Sequence, residues 1–535
     1  MGLGEGILTK LHPEARAYIE ELEQQAASSQ RWRRRHQALE VRYEQLIEEL
    51  RLLLYKRFAR SSETYIDASQ VDLFAESEES ARTDEVEEQI VVAAHSRKAR
   101  GRKSLDEKLP RVEILHDIAE EEKRCACGHE LTRIGEEISE RVQTIPEQIY
   151  VERHIRPKYA CHHCEGSADE EKPAVRIAAA PPSMIPGSIV TPGLLGFILV
   201  NKFCDHLPFY RQEARFERIG IHISRQDMSN WTIAAAKRLS PLIELMHREI
   251  RSGPVVQIDE TTVQVLDEPG RANTTKSYMW LARGGPPPAS VVLYSYRPTR
   301  GSEFPRHFLD GYRGYLQTDG YEVYDRVTET MPEVIHVGCW AHVRRKFFEA
   351  SKATKKTGAA EQALSIIGKL YHAESRLRAT AADDPASFLT KRRQAVQPLL
   401  TKFKSWLDEK AAAVVPSTLL GKAVGYAIAQ WPKLVRYLDC AELTPDTNAA
   451  ENAIRPFVLG RKNWLFSGSP RGAESSCAIY SLIQTAKQSG FNPFAYLHYL
   501  FTQVPLITHP QEWEKLLPAN LQAEQINTAF LASVR

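Results

Sequence analysis

The chain has 535 residues, 43% of them hydrophobic and 26% charged, with 70 Lys+Arg against 68 Asp+Glu for a net charge of +2. At roughly 100–200 residues per domain this is material for about three to five domains, and such a composition excludes a fully disordered chain. The balanced charge carries no global mark of a nucleic-acid binder. No apolar run reaches the roughly 18 residues of a spanning helix, no basic-then-apolar leader opens the chain, and eight Cys are too few for a disulfide scaffold.

In chain order, residues 14–56 read as one long helix. Leu39, Tyr43, Leu46, Leu50 and Leu53 alternate by four and three, the coiled-coil spacing. Upstream the register meets Ser29 and His36, so the seam holds for two heptads. Self-association and packing on the helix's own chain both fit this pattern. Residues 61–96 are Ser- and Glu-rich, with an acidic block from Glu76 to Glu88. Directly after it, Arg97, Lys98, Arg100, Arg102 and Lys103 crowd around one Gly. Such a cluster can follow a phosphate backbone or enter a minor groove, although charge runs are also ordinary solvated linkers.

Two cysteine pairs come next: Cys125 and Cys127 in RCACGHEL, Cys161 and Cys164 in KYACHHCEG. The stretch between them alternates apolar and polar residues as short strands do. Two pairs on neighbouring hairpin tips make a tetrahedral thiolate site for one structural Zn²⁺, and a unit with so little core would fold around its metal. The first pair is one residue short of the usual spacing, and His129, His162 and His163 are alternative ligands. Cys204, Cys339, Cys440 and Cys477 are scattered and read as core thiols.

Residues 192–239 carry three helical stretches. Thr191 and Pro192 open the first, Gly220 closes the second, and Ser224 caps the third. The last two fit a helix-turn-helix, with Ser224, Arg225, Gln226, Ser229 and Asn230 at the end that meets base edges. A plain helical hairpin fits the same pattern.

From residue 254 strands take over: VVQIDETTVQVL, SYMWLARG, SVVLYSYRP, then GYLQTDGY and VIHVGC after a helix-like EFPRHFLDGY. Asp259 interrupts an apolar strand and Asp319 ends another. An Asp there is costly unless it is paired or metal-bound, and a divalent cation relieves the repulsion of two. Further on, Asp446 or Thr447 can cap a helix that projects Glu451 and Arg455, four apart, on one face. Two Asp on strands and one Glu on a helix can close a two-metal site for phosphoryl transfer. By spacing alone, 68 acids compete for these roles. Glu260 points to the opposite strand face, and Asp267 and Asp310 sit in turns.

The chain resembles the insertion-sequence-66 family of bacterial transposases, of the DDE group with an RNase H-like catalytic fold. The resemblance rests on LLLYKRFARSSE, the cysteine module ending in RPKYAC, the helix-turn-helix stretch, QIDET, LQTDGY, GCWAHVRRKF, DTNAAENAIRPFVLGRKNWLFSGSPRG and the tail IYSLIQTAKQSGFNPFAYLHYLF. It implies that Asp259, Asp319 and Glu451 are the catalytic triad, ligating two Mg²⁺ (or Mn²⁺) ions. Cys339 and His342 match a Cys-x-x-His signature seen after the second Asp in related transposases, which implies a supporting role beside Arg455. Arg344, Arg345 and Lys346 suit phosphates. Arg461, Lys462 and Trp464, in a basic, aromatic, Gly-rich loop, can hold phosphates and stack a splayed base.

The expected architecture is therefore multidomain α+β. It comprises an N-terminal helix (1–60), a linker (61–110), a zinc unit (111–180) and a helix-turn-helix (181–245). An RNase H-like mixed-sheet core (250–475), with a helical insertion at about 350–443, and a helical tail (476–535) follow. The expected function is DNA cleavage and strand transfer at terminal inverted repeats and target DNA. It would act in the bacterial cytoplasm, on the nucleoid, as a homo-oligomer with accessory proteins of the same element and no membrane. A catalytically inactive DNA-binding regulator and a nuclease that cuts without joining are the rival readings.

Overall fold

The computed structural model describes residues 13–58, 149–160, 175–287, 290–353, 358–380 and 384–533. The chain forms two compact units, Ser62–Ala179 and the two flanking stretches together.

In the smaller unit, β1 (Lys158–Ala160) and β2 (Val175–Ile177) pair antiparallel, with Tyr159 opposite Arg176. Arg156 donates to the Ala178 carbonyl at 2.9 Å, which extends the closure by one residue. The basic run with Arg97, Arg100, Arg102 and Lys103, and all four cysteines at 125, 127, 161 and 164, lie outside the described residues.

The larger unit begins with α1 (Pro13–Phe58). Its C-terminal turns lie on their own chain. Glu48 Oε2 accepts the Leu419 N–H at 3.1 Å, Arg51 donates to the Ala353 carbonyl at 3.4 Å, and the Tyr55 ring meets Phe348 edge-on at 6.1 Å. The 4-3 seam faces elsewhere: its residues, from Leu46 (49%) to Tyr43 (66%), are all exposed.

Four helices follow: α2 (Pro192–Phe203), α3 (Phe209–Arg218), α4 (Arg225–Arg238) and α5 (Ser240–Ser252). Thr191 caps α2 through the Leu194 N–H. Gly220, at φ +81°, takes the left-handed position after α3 that a side chain would resist. Ser224 and Asp227 cap α4 reciprocally in a capping box.

The sheet is five-stranded and mixed. Strands β3 (Val255–Gln264), β4 (Lys276–Gly284) and β5 (Val291–Arg297) form an antiparallel meander. After α6 (Glu303–Phe308), β6 (Gly314–Gln317) pairs parallel to β3. After α7 (Glu322–Glu329), β7 (Val334–Val337) pairs parallel to β6. The order is β5-β4-β3-β6-β7. The edge at β5 would expose unpaired main-chain groups, but α13 (Pro470–Gln488) covers it. Thr485 and Ser481 there accept the N–H groups of Val292 (3.0 Å) and Tyr294 (2.8 Å).

Between β7 and α12 (Asn448–Trp464) stands a helical insertion: α8 (Trp340–Ala353), α9 (Ala359–Thr380), α10 (Pro385–Ala413) and α11 (Leu419–Leu434). It has its own core around Trp340, Phe347 and Phe403. GCWAHVRRKF thus already opens the insertion, ahead of residue 350. A second core is continuous from Met184 through α2–α5, the sheet, α12 and α13 to Leu517, including α14 (Pro493–Gln503). The helix-turn-helix stretch therefore shares its interior with the sheet. The last described helix is α15 (Ala523–Ser533).

Candidate active site

Asp259 sits mid-strand on β3, Asp319 two residues past the end of the adjacent β6, and Glu451 in the first turn of α12. Burial chiefly, then the neighbouring Glu260, pushes the Asp259 carboxyl up to about 7. The Glu260 N–H opposes this at 2.8 Å, while Glu451 and Asp319 add to it. Asp259 thus lies in the field of both Glu451 and Asp319, a repulsion that a divalent cation would remove. That chemistry fits a hard, oxygen-ligated cation. Asp319 is steadied through Oδ1, which accepts the Tyr321 N–H at 2.9 Å. Gly320 beside it has room for nothing larger, because a Cβ there would lie 2.5 Å from the Tyr426 hydroxyl of the insertion.

The rival acids are accounted for otherwise. Glu260 is 3% exposed in its side chain and is held by Arg300 at 2.5 Å and the Tyr324 hydroxyl at 2.5 Å. Asp267 and Asp310 are exposed.

Cys339, His342 and Glu451 present ligand atoms within 4.8 Å of one another, a metal-capable group among the described residues. His342 Nε2 is 3.8 Å from Glu451 Oε1, and its Nδ1 is buried without a hydrogen-bond partner. Cys339 is different. Burial pushes its thiol up to about 12, and its sulfur accepts from the Thr447 N–H at 3.4 Å and hydroxyl at 3.3 Å. A sulfur so engaged anchors the start of α12. From the other side, the Tyr294 hydroxyl donates to the Ala453 carbonyl.

The surroundings contain residues that sequence reasoning missed. Thr318, next to Asp319, bonds His336 Nε2 at 2.9 Å, and His336 Nδ1 bonds Asp325 at 2.9 Å. Lys433 of the insertion closes on Asp325 at 2.8 Å. The His336 hydrogen bond and Lys433 hold the Asp325 carboxyl down at about 2 despite partial burial. In the insertion, Arg392 is fully buried and bonds both Glu374 oxygens, at 2.6 and 3.0 Å. Glu268, next to the turn residue Asp267, is buried and takes Ser277, Tyr296 and Arg271. The available signal was a polar residue inside an otherwise apolar run, most plainly Gln257 and Gln317, each two residues before an Asp.

The basic residues are spread more widely. Arg345, Lys346, Arg455 and Lys462 are exposed, and Arg344 is half-buried. Arg461 donates to Thr262 Oγ1 at 3.0 Å, and burial lowers its guanidinium from its usual range. With Lys276, Lys462 and Leu465 it lines a cleft of about 510 Å³. Trp464 is turned inward, 5.3 Å from Phe457 and half-buried. The apolar residues presented outward are instead Leu465 (63% exposed, φ +66°) and Phe466 (45%). On α4, Arg225, Gln226 and Asn230 are exposed, and Gln226 bonds Asn230 at 3.0 Å while Ser224 is occupied as the cap.

Comparison with known proteins places these features in context. The profile "Transposase IS66 family" matches residues 187–475. "Zinc-finger binding domain of transposase IS66" matches 122–165, "Transposase C of IS166 homeodomain" 45–114, and "IS66 C-terminal element" 481–519. Three similar proteins come from Sinorhizobium fredii (strain NBRC 101917 / NGR234). Uncharacterized protein y4jD is 33% identical over 79% of this chain and 83% of its own length. Uncharacterized protein y4qI is 31% identical over 78% and 77%, and uncharacterized protein y4hP 28% over 93% and 91%.

Proposed function

Because the chain belongs to the IS66 transposase family, we propose that it binds the terminal inverted repeats of its own element and cuts and joins DNA strands there. The observation that carries this reading is Asp259, raised to about 7 by burial and by its acidic neighbours, Glu260 first and then Glu451 and Asp319. The strand order supports an RNase H-like core: three antiparallel strands with two parallel ones added beside the first.

Asp259, Asp319 and Glu451 would hold a pair of Mg²⁺ or Mn²⁺ ions. Such a pair supplies Lewis-acid activation of water or a 3′-hydroxyl and neutralises charge on the leaving oxygen. The chain's own residues do the positioning. Cys339 and Thr447 seat the start of α12 so that Glu451 faces the two strand acids. His342, at 3.8 Å from Glu451, orders that carboxylate and sits at the edge of the site, where a scissile phosphate would lie. Arg344, Arg345 and Lys346 on α8, with Arg461 and Lys462 at the far end of α12, would grip the backbone on either side of it. The helix-turn-helix residues Arg225, Gln226 and Asn230, and the basic run Arg97–Lys103, would supply repeat recognition. Cys125, Cys127, Cys161 and Cys164 would hold one Zn²⁺. The exposed seam of α1 would join two copies, since a 4-3 apolar stripe left in water is closed most simply by its own kind. Among the described residues, no helix is long and apolar enough to cross a membrane.

A strand-transfer assay tests this reading: labelled terminal repeat, target plasmid and Mg²⁺, with accessory proteins of the element supplied. Joined product from wild type and none from Asp259→Asn is expected. Cleavage without joining would point to a nuclease, and binding with neither activity to an inactive regulator.

A further inference from the structure

Asp259 and Asp319 are placed by neighbouring strands, but Glu451 arrives on a segment that has just crossed the whole helical insertion. What fixes that segment is a row of buried contacts to its carbonyls. Gln317, fully buried on β6, donates from Nε2 to the Thr444 carbonyl at 2.6 Å. Its Oε1 accepts from Gln257 Nε2 on β3 at 2.9 Å, and Gln257 Nε2 also reaches the Asp446 carbonyl at 3.5 Å. Gln257 is itself 4% exposed. The two carbonyls flank Pro445, whose own carbonyl accepts the Trp340 N–H at 2.9 Å. Glu451 follows five residues after Asp446.

Side chains alternate along a strand, so residues two apart share a face. Gln257 shares its strand face with Asp259, and Gln317, at the end of β6, stands two residues before Asp319. A buried amide in such a position is costly unless its hydrogen bonds are met. Here the Gln317 amide and the Gln257 Nε2 are met by one another and by the chain that leads into α12, while Gln257 Oε1 is buried without a partner.

We propose that Gln257 and Gln317 form a buried amide latch that sets the distance from the two strand acids to Glu451. They are positioning residues: neither touches the reacting atoms. The inference rests on the reading of the three acids as a divalent-cation site. It goes further by tying that site's geometry to two neutral side chains. The latch also makes the insertion part of the site, because the segment it grips is the insertion's return.

The test uses the full chain, with Mn²⁺ alone as probe and binding followed by the loss of free-ion electron paramagnetic resonance signal. Gln317→Met keeps the length of the side chain and removes its donors. It is expected to weaken Mn²⁺ binding about tenfold or more, the effect of one lost buried hydrogen bond. In a Glu451→Gln background the same change should have less than about a twofold effect, because the ligand it positions is already gone. An equal loss in both backgrounds, or no loss in the first, overturns the latch. Amide hydrogen exchange gives a second readout that needs no metal. Residues 444–452 should exchange faster in Gln317→Met and in Gln257→Met than in wild type, and unchanged exchange there also overturns it. If wild type binds no Mn²⁺ and Asp259→Asn changes nothing, the cation-site reading fails instead, while the exchange result still judges the latch.

Discussion

The two sides of the acid site are built differently. On one side Asp259 stands on β3 and Asp319 two residues past the end of the parallel β6 beside it, so their placement follows from strand spacing and register. On the other, Glu451 comes from a helix whose start is fixed through side chains: Cys339 on Thr447, the two glutamines on Thr444 and Asp446, and Tyr294 on Ala453. Backbone pairing is robust to single substitutions because many groups share it. A helix seated by a few buried polar contacts is not. The strand side should therefore tolerate change around its acids, and the helix side should lose function through residues far from the chemistry.

The largest expected effect is symmetrical and sets the scale. Asp259→Asn, Asp319→Asn or Glu451→Gln should each lower Mg²⁺-dependent cleavage of repeat-bearing DNA by about 10⁴-fold, roughly 5 kcal/mol of barrier. Gel quantitation of nicked product measures it. A member of the three that can be neutralised with little loss would not be a ligand.

Next comes the insertion. Arg392→Met leaves the buried Glu374 with only Arg378, at the rim of the cluster, and frees the carbonyls of Tyr437 and Cys440, which Arg392 holds at 2.8 Å each. Breaking one side of such a pair costs about 3–5 kcal/mol, measurable by urea unfolding. Arg378→Met, at the more exposed rim of the same cluster, should cost about 1 kcal/mol or less. Equal effects would mean the clasp does not depend on burial.

The third prediction concerns pH. Asp259 titrates at about 7 in the folded chain against a usual 3.8. A carboxyl whose pKa is raised on folding binds more protons folded than unfolded. Stability is therefore lost as pH rises from about 4 to about 7, and the full penalty stands above that. Without divalent cations, Asp259→Asn should be more stable than wild type at pH 8, by at most about 4 kcal/mol and less where solvent screens the site. The gap should close by pH 4. Thermal melts at both pH values check it. A variant no more stable at pH 8 would mean that the carboxylate is penalised neither by burial nor by its acidic neighbours.

The smallest effect separates anchor from ligand. Cys339→Ala removes two weak acceptor contacts and should cost about 1 kcal/mol of stability. Because the sulfur is buried and occupied by Thr447, and is softer than the oxygen ligands Mn²⁺ favours, Mn²⁺ affinity should fall far less than in Glu451→Gln. A fall as large as that of Glu451→Gln would make Cys339 a ligand.

This asymmetry also explains what could be read without coordinates. The β3–β5 meander, the short β6 and β7, the capped α2 and α4, and the insertion helices all announce themselves through local periodicity, Ser224 and Gly220 included. The mixed sheet follows from that pattern. What stayed hidden is polar and long-range. Gln257 and Gln317 look like ordinary interruptions of apolar strands until the returning segment lies between them and α12. Glu268 reads as a turn acid beside Asp267, yet Ser277 and Tyr296 on two strands close on it together with Arg271, three residues on. Arg392 sits in a run of helix cations with nothing local to mark it as the buried one. Trp464 stands in a basic loop that suits base stacking, but Phe457, seven residues earlier on the same helix, draws it inward and leaves Leu465 and Phe466 outside. The 4-3 stripe of α1 was legible, whereas the docking of its other face through Glu48 and Tyr55 depends on residues some 300 or more positions away.

The central claim is that three acids from two differently built sides meet at one cation site. Crystals of the wild-type chain soaked in Mn²⁺ and measured at the manganese absorption edge test it most directly. The account predicts anomalous peaks bounded by Asp259, Asp319 and Glu451, lost in Asp259→Asn. Manganese bound elsewhere, with nothing among these carboxylates, would contradict it.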